Sequence, residues 1–165
     1  MKHLTPHWKQ EDLENIIVEQ APDPSIGYSV EPGIDIDKYK HLVSAGVYRG
    51  LPNFFNKDIL EKEFNWIDHK GYAIHKMLPG SILPLHRDKY AFYANHHNVT
   101  NFDTIVRVIV FLQDHKLGHT LQVEDCNIPQ WNAGDYVYWK GKKAHLAANF
   151  GADIRYTLQI TGLVK

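Results

Sequence analysis

Residues 134–149 read GDYVYWKGKKAHLAAN, and this stretch decides the fold. Asp135–Lys140 is a run of aromatic and β-branched residues between two turn glycines, Gly134 and Gly141, which is the pattern of a short strand. Ala144–Asn149 follows as a second short run of the same kind. Working outward, the same alternation recurs. Strands are predicted at Tyr72–Leu78, Leu83–Arg87, Ile105–Leu112, Thr120–Glu124 and Arg155–Thr161. Between them stand Pro79-Gly80, Gly118, Asn132-Ala133-Gly134 and Gly151-Ala152-Asp153, all turn formers. Many short strands at close spacing predict an antiparallel sandwich or barrel rather than βαβ units.

Residues 1–70 read differently. Leu13, Ile16 and Ile17 share the spacing of an amphipathic helix. Asp37 is placed to cap a short helix through Leu42 and Val43, with Gly46 just past its end. Asn56 is placed to cap a longer one carrying Ile59, Leu60, Phe64 and Ile67. Prolines 22, 24, 32 and 52 and glycines 27, 33 and 50 mark loops. The expectation is one domain over 1–165: a helical and loop cover over 1–70 on one face of a β-barrel core over 71–165. Residues 91–103, AFYANHHNVTNFD, are expected as a long polar loop.

Composition bounds the function. The chain has 165 residues, 44% hydrophobic and 22% charged, which excludes a disordered or collagen-like chain. Eighteen Lys+Arg against nineteen Asp+Glu leave a net charge of -1, so no basic excess points to nucleic acid or to an acidic membrane. One cysteine, Cys126, permits no internal disulfide. No apolar run reaches the roughly 20 residues of a bilayer span, and the N-terminus lacks a signal-peptide core. The expected location is cytoplasmic. Eleven histidines direct attention to metal or acid–base chemistry.

On a strand, residues i and i+2 share a face, so His86 and Asp88 within GSILPLHRD (80–88) present an imidazole and a carboxylate side by side while Arg87 points away. A kinase reading of His86-Arg87-Asp88 fails, because the asparagine that motif needs is Tyr93 here. The spacings Gly80 to His86, and Gly134 to His145 and Asn149, resemble the paired signatures of the cupin, or double-stranded β-helix, superfamily. Asp88 stands where the first signature has a second histidine, and Lys140 and Lys142 stand where the second has Pro and Gly. Two imidazoles and one carboxylate are the facial ligand set of non-haem Fe(II) oxygenases, with open positions on the ion. Ordinary strand histidines with hydrogen-bond partners are the plainer alternative for each residue singly. Arg155 opens the last strand, ten residues after His145. Its planar fork suits a carboxylate, or else a surface pair with Asp153.

His86-x-Asp88, His145 and Arg155 together resemble the Fe(II)- and 2-oxoglutarate-dependent oxygenases. The flanking text over residues 72–162, including Val106-Arg107-Val-Ile-Val-Phe-Leu112, is similar to the aspartyl/asparaginyl β-hydroxylase branch and related small hydroxylases. The resemblance implies a double-stranded β-helix with iron held by His86, Asp88 and His145, and the distal carboxylate of 2-oxoglutarate held by Arg155. It places Arg107, Tyr72 and His75 as further cosubstrate contacts. It implies hydroxylation of an amino-acid or peptidyl side chain by O2, with succinate and CO2 released. Tyr90, Tyr93 and Trp139 are candidate pocket residues, as are Trp131 and Tyr138, which serve equally as sheet packing. His96-His97 reads as solvated loop, since neighbours on an extended chain diverge. Two rivals stand beside this. One is a cupin-like metal-binding domain or isomerase without O2 chemistry; the other is a sheet domain with no catalysis. The substrate, small molecule or peptide, and the oligomeric state are not written in the sequence.

Overall fold

A computed structural model describes residues 1–20, 28–39 and 45–165. The described strands are β1 (Lys2–His3), β2 (Glu19–Gln20), β3 (Tyr28–Val30), β4 (Ala45–Arg49), β5 (Ile67–Met77), β6 (Ile82–Asp88), β7 (Ile105–Phe111), β8 (His119–Val123), β9 (Cys126–Ile128), β10 (Asp135–Lys140), β11 (His145–Asn149) and β12 (Arg155–Val164). The helices are α1 (Gln10–Glu14), α2 (Ile36–Tyr39), α3 (Lys57–Glu63) and α4 (Ala91–His96). A 3-10 turn spans Phe102–Thr104.

The strands form two sheets, ordered β1-β10-β7-β12-β5-β4-β2 and β3-β6-β11-β8-β9, and every pairing is antiparallel. From β5 to β8, and again from β9 to β12, successive strands alternate between the sheets. That winding is a double-stranded β-helix, the jelly-roll barrel expected from the strand pattern. Among the described residues, no helix is long and apolar enough to cross a membrane.

Period-two alternation gives the larger sheet two buried faces. Val106, Val108 and Val110 of β7, Ile74 of β5, Tyr136 of β10 and Tyr156, Leu158 and Ile160 of β12 point outward. There they meet Leu4, Trp8, Leu13, Ile16, Phe55, Leu60 and Phe64 from the first 70 residues. Ile109, Phe111, Met77 and Trp139 point inward and pack with Leu121, Trp131 and Ala147. These residues pack on that outer face, pinned where Trp8 Nε1 donates to the Leu112 carbonyl at 2.7 Å and Tyr136 Oη to Glu63 at 2.7 Å.

Several local expectations change. Asn56 caps α3 as expected, accepting from the Asp58 and Ile59 amides at 3.0 and 3.2 Å. The helix stops at Glu63, however, and Ile67 already begins β5. Ile17 is 89% exposed because α1 ends at Glu14, before the apolar stripe is complete. The helix placed through Leu42 and Val43 falls largely outside the described residues, as do prolines 22 and 24 and Gly27. The 91–103 loop contains α4, and the first half also supplies strands, β1 through β4, at the sheet margins. Gly134 takes φ +88°, and a Cβ there would overlap the Leu4 carbonyl, so the turn that delivers β10 depends on glycine.

Candidate metal centre

The centre is built where β6 and β11 lie side by side. Their register sets His86 directly opposite His145, and their rings stand 4.2 Å apart between centroids. Asp88, two residues on, shares the face of His86. One donor atom from each of His86, Asp88 and His145 lies within 4.8 Å of the others. His86 Nε2 is 4.0 Å from Asp88 Oδ1, and His145 Nε2 is 3.8 Å from Asp88 Oδ2. Those separations are too long for hydrogen bonds and suit three donors around one ion.

Backbone carbonyls aim both rings. His86 Nδ1 lies 2.6 Å from the Pro84 carbonyl and His145 Nδ1 lies 2.9 Å from that of Lys143. Each Nδ1 therefore carries the hydrogen and donates it, leaving Nε2 bare toward the centre, which is the arrangement of metal-bound histidines. Burial, with the neighbouring His145, pushes His86 down to about 4, and burial lowers His145 too. Burial works against the Asp88 carboxylate, but Arg107 and the two imidazoles overcome it and hold the group at about 2. At neutral pH the set is two neutral imidazoles and one carboxylate, already in the protonation states a cation needs.

Arg107 completes the centre from the opposite sheet. Its Nη2 and Nε donate to Asp88 Oδ2 at 2.7 and 3.1 Å, and its Nη1 donates to Thr161 Oγ1 at 2.6 Å. The side chain thus points inward from β7 and grips a member of the triad. Tyr90 lies over this guanidinium, its ring centroid 5.1 Å away. Trp139 stands beside His145, with ring centroids 4.9 Å apart, and its buried Nε1 has no partner among the described residues.

Arg155 sits on the same inner face of β12 as Thr161, six residues and about 20 Å away along the strand. It is 4% exposed. Its Nη1 donates to Met77 Sδ, at 3.7 Å; its Nε has no partner among the described residues; and its guanidinium lies over Trp131, 5.5 Å from the ring centroid. No pair with Asp153 forms. Burial alone pushes the group down to about 10, so it remains a cation. Buried ions are normally paired, and this one has no ion-pair partner among the described residues.

His75, opposite Thr157 on the inner face of β5, lies between the two ends. Burial, then Arg107, pushes it down to about 4. The unfolded chain binds this proton near pH 6.5 and the folded chain does not, so His75 contributes nothing adverse above pH 6.5 and costs up to about 1.4 kcal/mol per pH unit as pH falls toward 4. Thermal melts of His75→Phe at pH 7 and pH 5 are expected to show a smaller acid loss than the wild type; an unchanged loss would place His75 in contact with water.

Tyr72 is a correction. It alternates to the outer face, where its hydroxyl donates to Glu61 Oε1 of α3 at 3.0 Å, a full sheet away from the triad. Tyr93 is another: it leaves the site to donate to the His69 carbonyl at 2.9 Å. Tyr138 is 44% exposed beside Trp66 on the outer side. His96 and His97 belong to α4 and its C-cap, not to an extended loop, and form a ring cluster with His69 and Tyr93. Thr157, Gln159 and Thr161 escaped notice, although the period-two step from Arg155 along β12 leads to each.

No family model matches the chain, and no curated protein matches it. Solved structures with a similar course include a predicted oxalate decarboxylase from Thermotoga maritima, 14% identical over 92% of this chain and 96% of that one, with a TM-score of 0.48. A sugar phosphate isomerase of the cupin superfamily from Silicibacter pomeroyi is 12% identical over 92% of this chain and 73% of that one, with a TM-score of 0.48. The Cupin_2 domain of an XRE-family transcriptional regulator from Enterobacter cloacae is 9% identical over 73% and 98%, with a TM-score of 0.46. At such identities none lends its activity to this chain, and the architecture rests on the strand order itself.

Proposed function

We propose that the chain is an Fe(II)- and 2-oxoglutarate-dependent oxygenase that hydroxylates an amino-acid or peptidyl side chain. The observation that carries the reading is a charge imbalance inside the barrel. Two buried arginines, Arg107 and Arg155, share the barrel with one part-buried carboxylate, Asp88, which Arg107 already neutralises. A divalent ion at the triad would add to the excess, so the cavity suits a dianion. A 2-oxo acid with a distal carboxylate carries that charge.

In this reading His86, Asp88 and His145 would hold the iron. With the oxo acid bound, the ion supplies the oxidising chemistry. Arg107 keeps Asp88 ionised and fixes its rotamer against Thr161. Arg155 grips the distal carboxylate and so orients the oxo end toward the ion. Trp139, Met77 and Ile109 wall the space and exclude water. Tyr90 shields the Asp88–Arg107 pair.

Purified protein loaded anaerobically with Fe(II) and then exposed to O2 is expected to turn 2-oxoglutarate slowly into succinate without added substrate. Succinate no greater than in a metal-free control overturns the reading. Stoichiometric metal binding without 2-oxoglutarate turnover would favour a cupin-type domain lacking O2 chemistry.

A further inference from the structure

At the end of the barrel away from the triad, two buried nitrogen atoms lack partners around one indole ring. Arg155 and His119 are 4% and 3% exposed. Arg155 Nε and His119 Nδ1 have no hydrogen-bond partner among the described residues. Both groups lie against Trp131: the guanidinium is 5.5 Å from its centroid, and the imidazole runs nearly parallel to it at 6.4 Å and 16°. Phe111, stacked on Trp131 at 4.0 Å and 10°, and His115, edge-on at 4.5 Å, make this ring a fixed floor. Leaving such atoms buried and unsatisfied is costly, and a pair of them beside one ring marks a place for a ligand.

The two atoms differ in kind. Arg155 Nε is a donor. His119 Nε2 lies 3.1 Å from the Asp153 carbonyl and carries the hydrogen, so Nδ1 of the neutral ring is an acceptor. A carboxylate seated here satisfies Arg155 at once. It satisfies His119 only if Nδ1 also carries a proton. Resting on the oxygenase reading above, we propose that His119 is a second holder of the distal carboxylate, and that it takes up one proton as the carboxylate arrives.

The surroundings agree. Burial, Arg155 and His115 keep the empty His119 neutral, against the opposing pull of Asp153, both its carbonyl and its carboxylate. An anion beside Nδ1 reverses the balance by pairing Arg155 and attracting the new imidazolium. Asn149 Nδ2 also donates to the Asp153 carbonyl, at 2.8 Å, and to that of Met77 at 3.0 Å, so the turn behind His119 is held independently of its protonation.

The test is calorimetric titration of the full Fe(II)-loaded protein without O2, at pH 7.5 in two buffers of different ionisation enthalpy. The ligands are 2-oxoglutarate and 2-oxopentanoate, which carries a methyl group where the former carries its distal carboxylate. Wild type is expected to take up about one proton more with 2-oxoglutarate than with 2-oxopentanoate. His119→Gln and His119→Phe, the latter keeping the stack on Trp131, are expected to bind 2-oxoglutarate about tenfold or more weaker. They should bind 2-oxopentanoate as wild type does and show no excess proton. Equal proton counts for the two acids, or 2-oxoglutarate affinity unchanged in both variants, or equal weakening of both acids, overturns the proposal while the oxygenase reading stands. Failure of 2-oxoglutarate to bind wild type overturns both.

Discussion

Asp88→Ala is expected to abolish stoichiometric metal binding and to destabilise the chain by about 3 to 5 kcal/mol, because it removes a ligand and also strips a buried guanidinium of its counter-ion. Arg107 is 6% exposed and spends two donors on Asp88 Oδ2, and among the described residues no other carboxylate pairs with it. The two losses can be separated. Asp88→Asn combined with Arg107→Met removes both charges together and keeps the volumes, so most of the stability should return while metal binding does not. Denaturant melts and equilibrium dialysis with Fe(II) or a divalent surrogate measure the two quantities. If the double variant is as unstable as Asp88→Ala, the pair is not the buried couple its distances indicate. If Asp88→Ala still binds one ion tightly, the triad is not the ligand set.

Arg155→Met should move stability and function in opposite directions. The wild-type guanidinium is buried against Met77 Sδ and the face of Trp131, neither of which is an anion. An apolar chain of similar length there relieves an uncompensated charge, and such exchanges commonly raise stability by about 1 to 4 kcal/mol. The same change removes the permanently charged partner of a distal carboxylate at this end of the barrel, and 2-oxoglutarate binding should weaken by about a hundredfold or more, with the metal retained. A higher melting temperature with lost cosubstrate affinity is the signature of a group kept for binding rather than for folding. A lower melting temperature would mean that Arg155 is a structural cation. Loss of the metal would mean that the two ends of the cavity are coupled.

Much of this was legible in the sequence. The strands from β5 to β12, β9 excepted, follow from short apolar runs between turn formers, because a strand in a barrel buries alternate residues and needs a sharp turn after each crossing. His86 and Asp88 were placed together by the i, i+2 rule alone, and that rule is local. Pairing His145 with His86 needed the resemblance, since register between strands 59 residues apart leaves no local trace. Tyr72 and His75 show where local reasoning stops. Both lie on β5, but opposite parities send one to Glu61 and the other into the barrel. Parity is readable only once one residue's face is known. Arg107, flanked by valines buried on the outer face, gave no sign that it reaches Asp88, because its partner is on another sheet. β9 was missed because Cys126–Ile128 is brief and polar, and α4 was missed because AFYANH carries no apolar stripe.

β12 is bonded along both edges, to β5 and to β7, and bears Arg155 near its start and Thr161, the anchor of Arg107, near its end. The distance between the two cationic ends is therefore ruled off on one strip of backbone that has no free margin to slide. The barrel works as a gauge. A guest is measured by its length as much as by its charge, and the measure yields only if the central strand itself gives way.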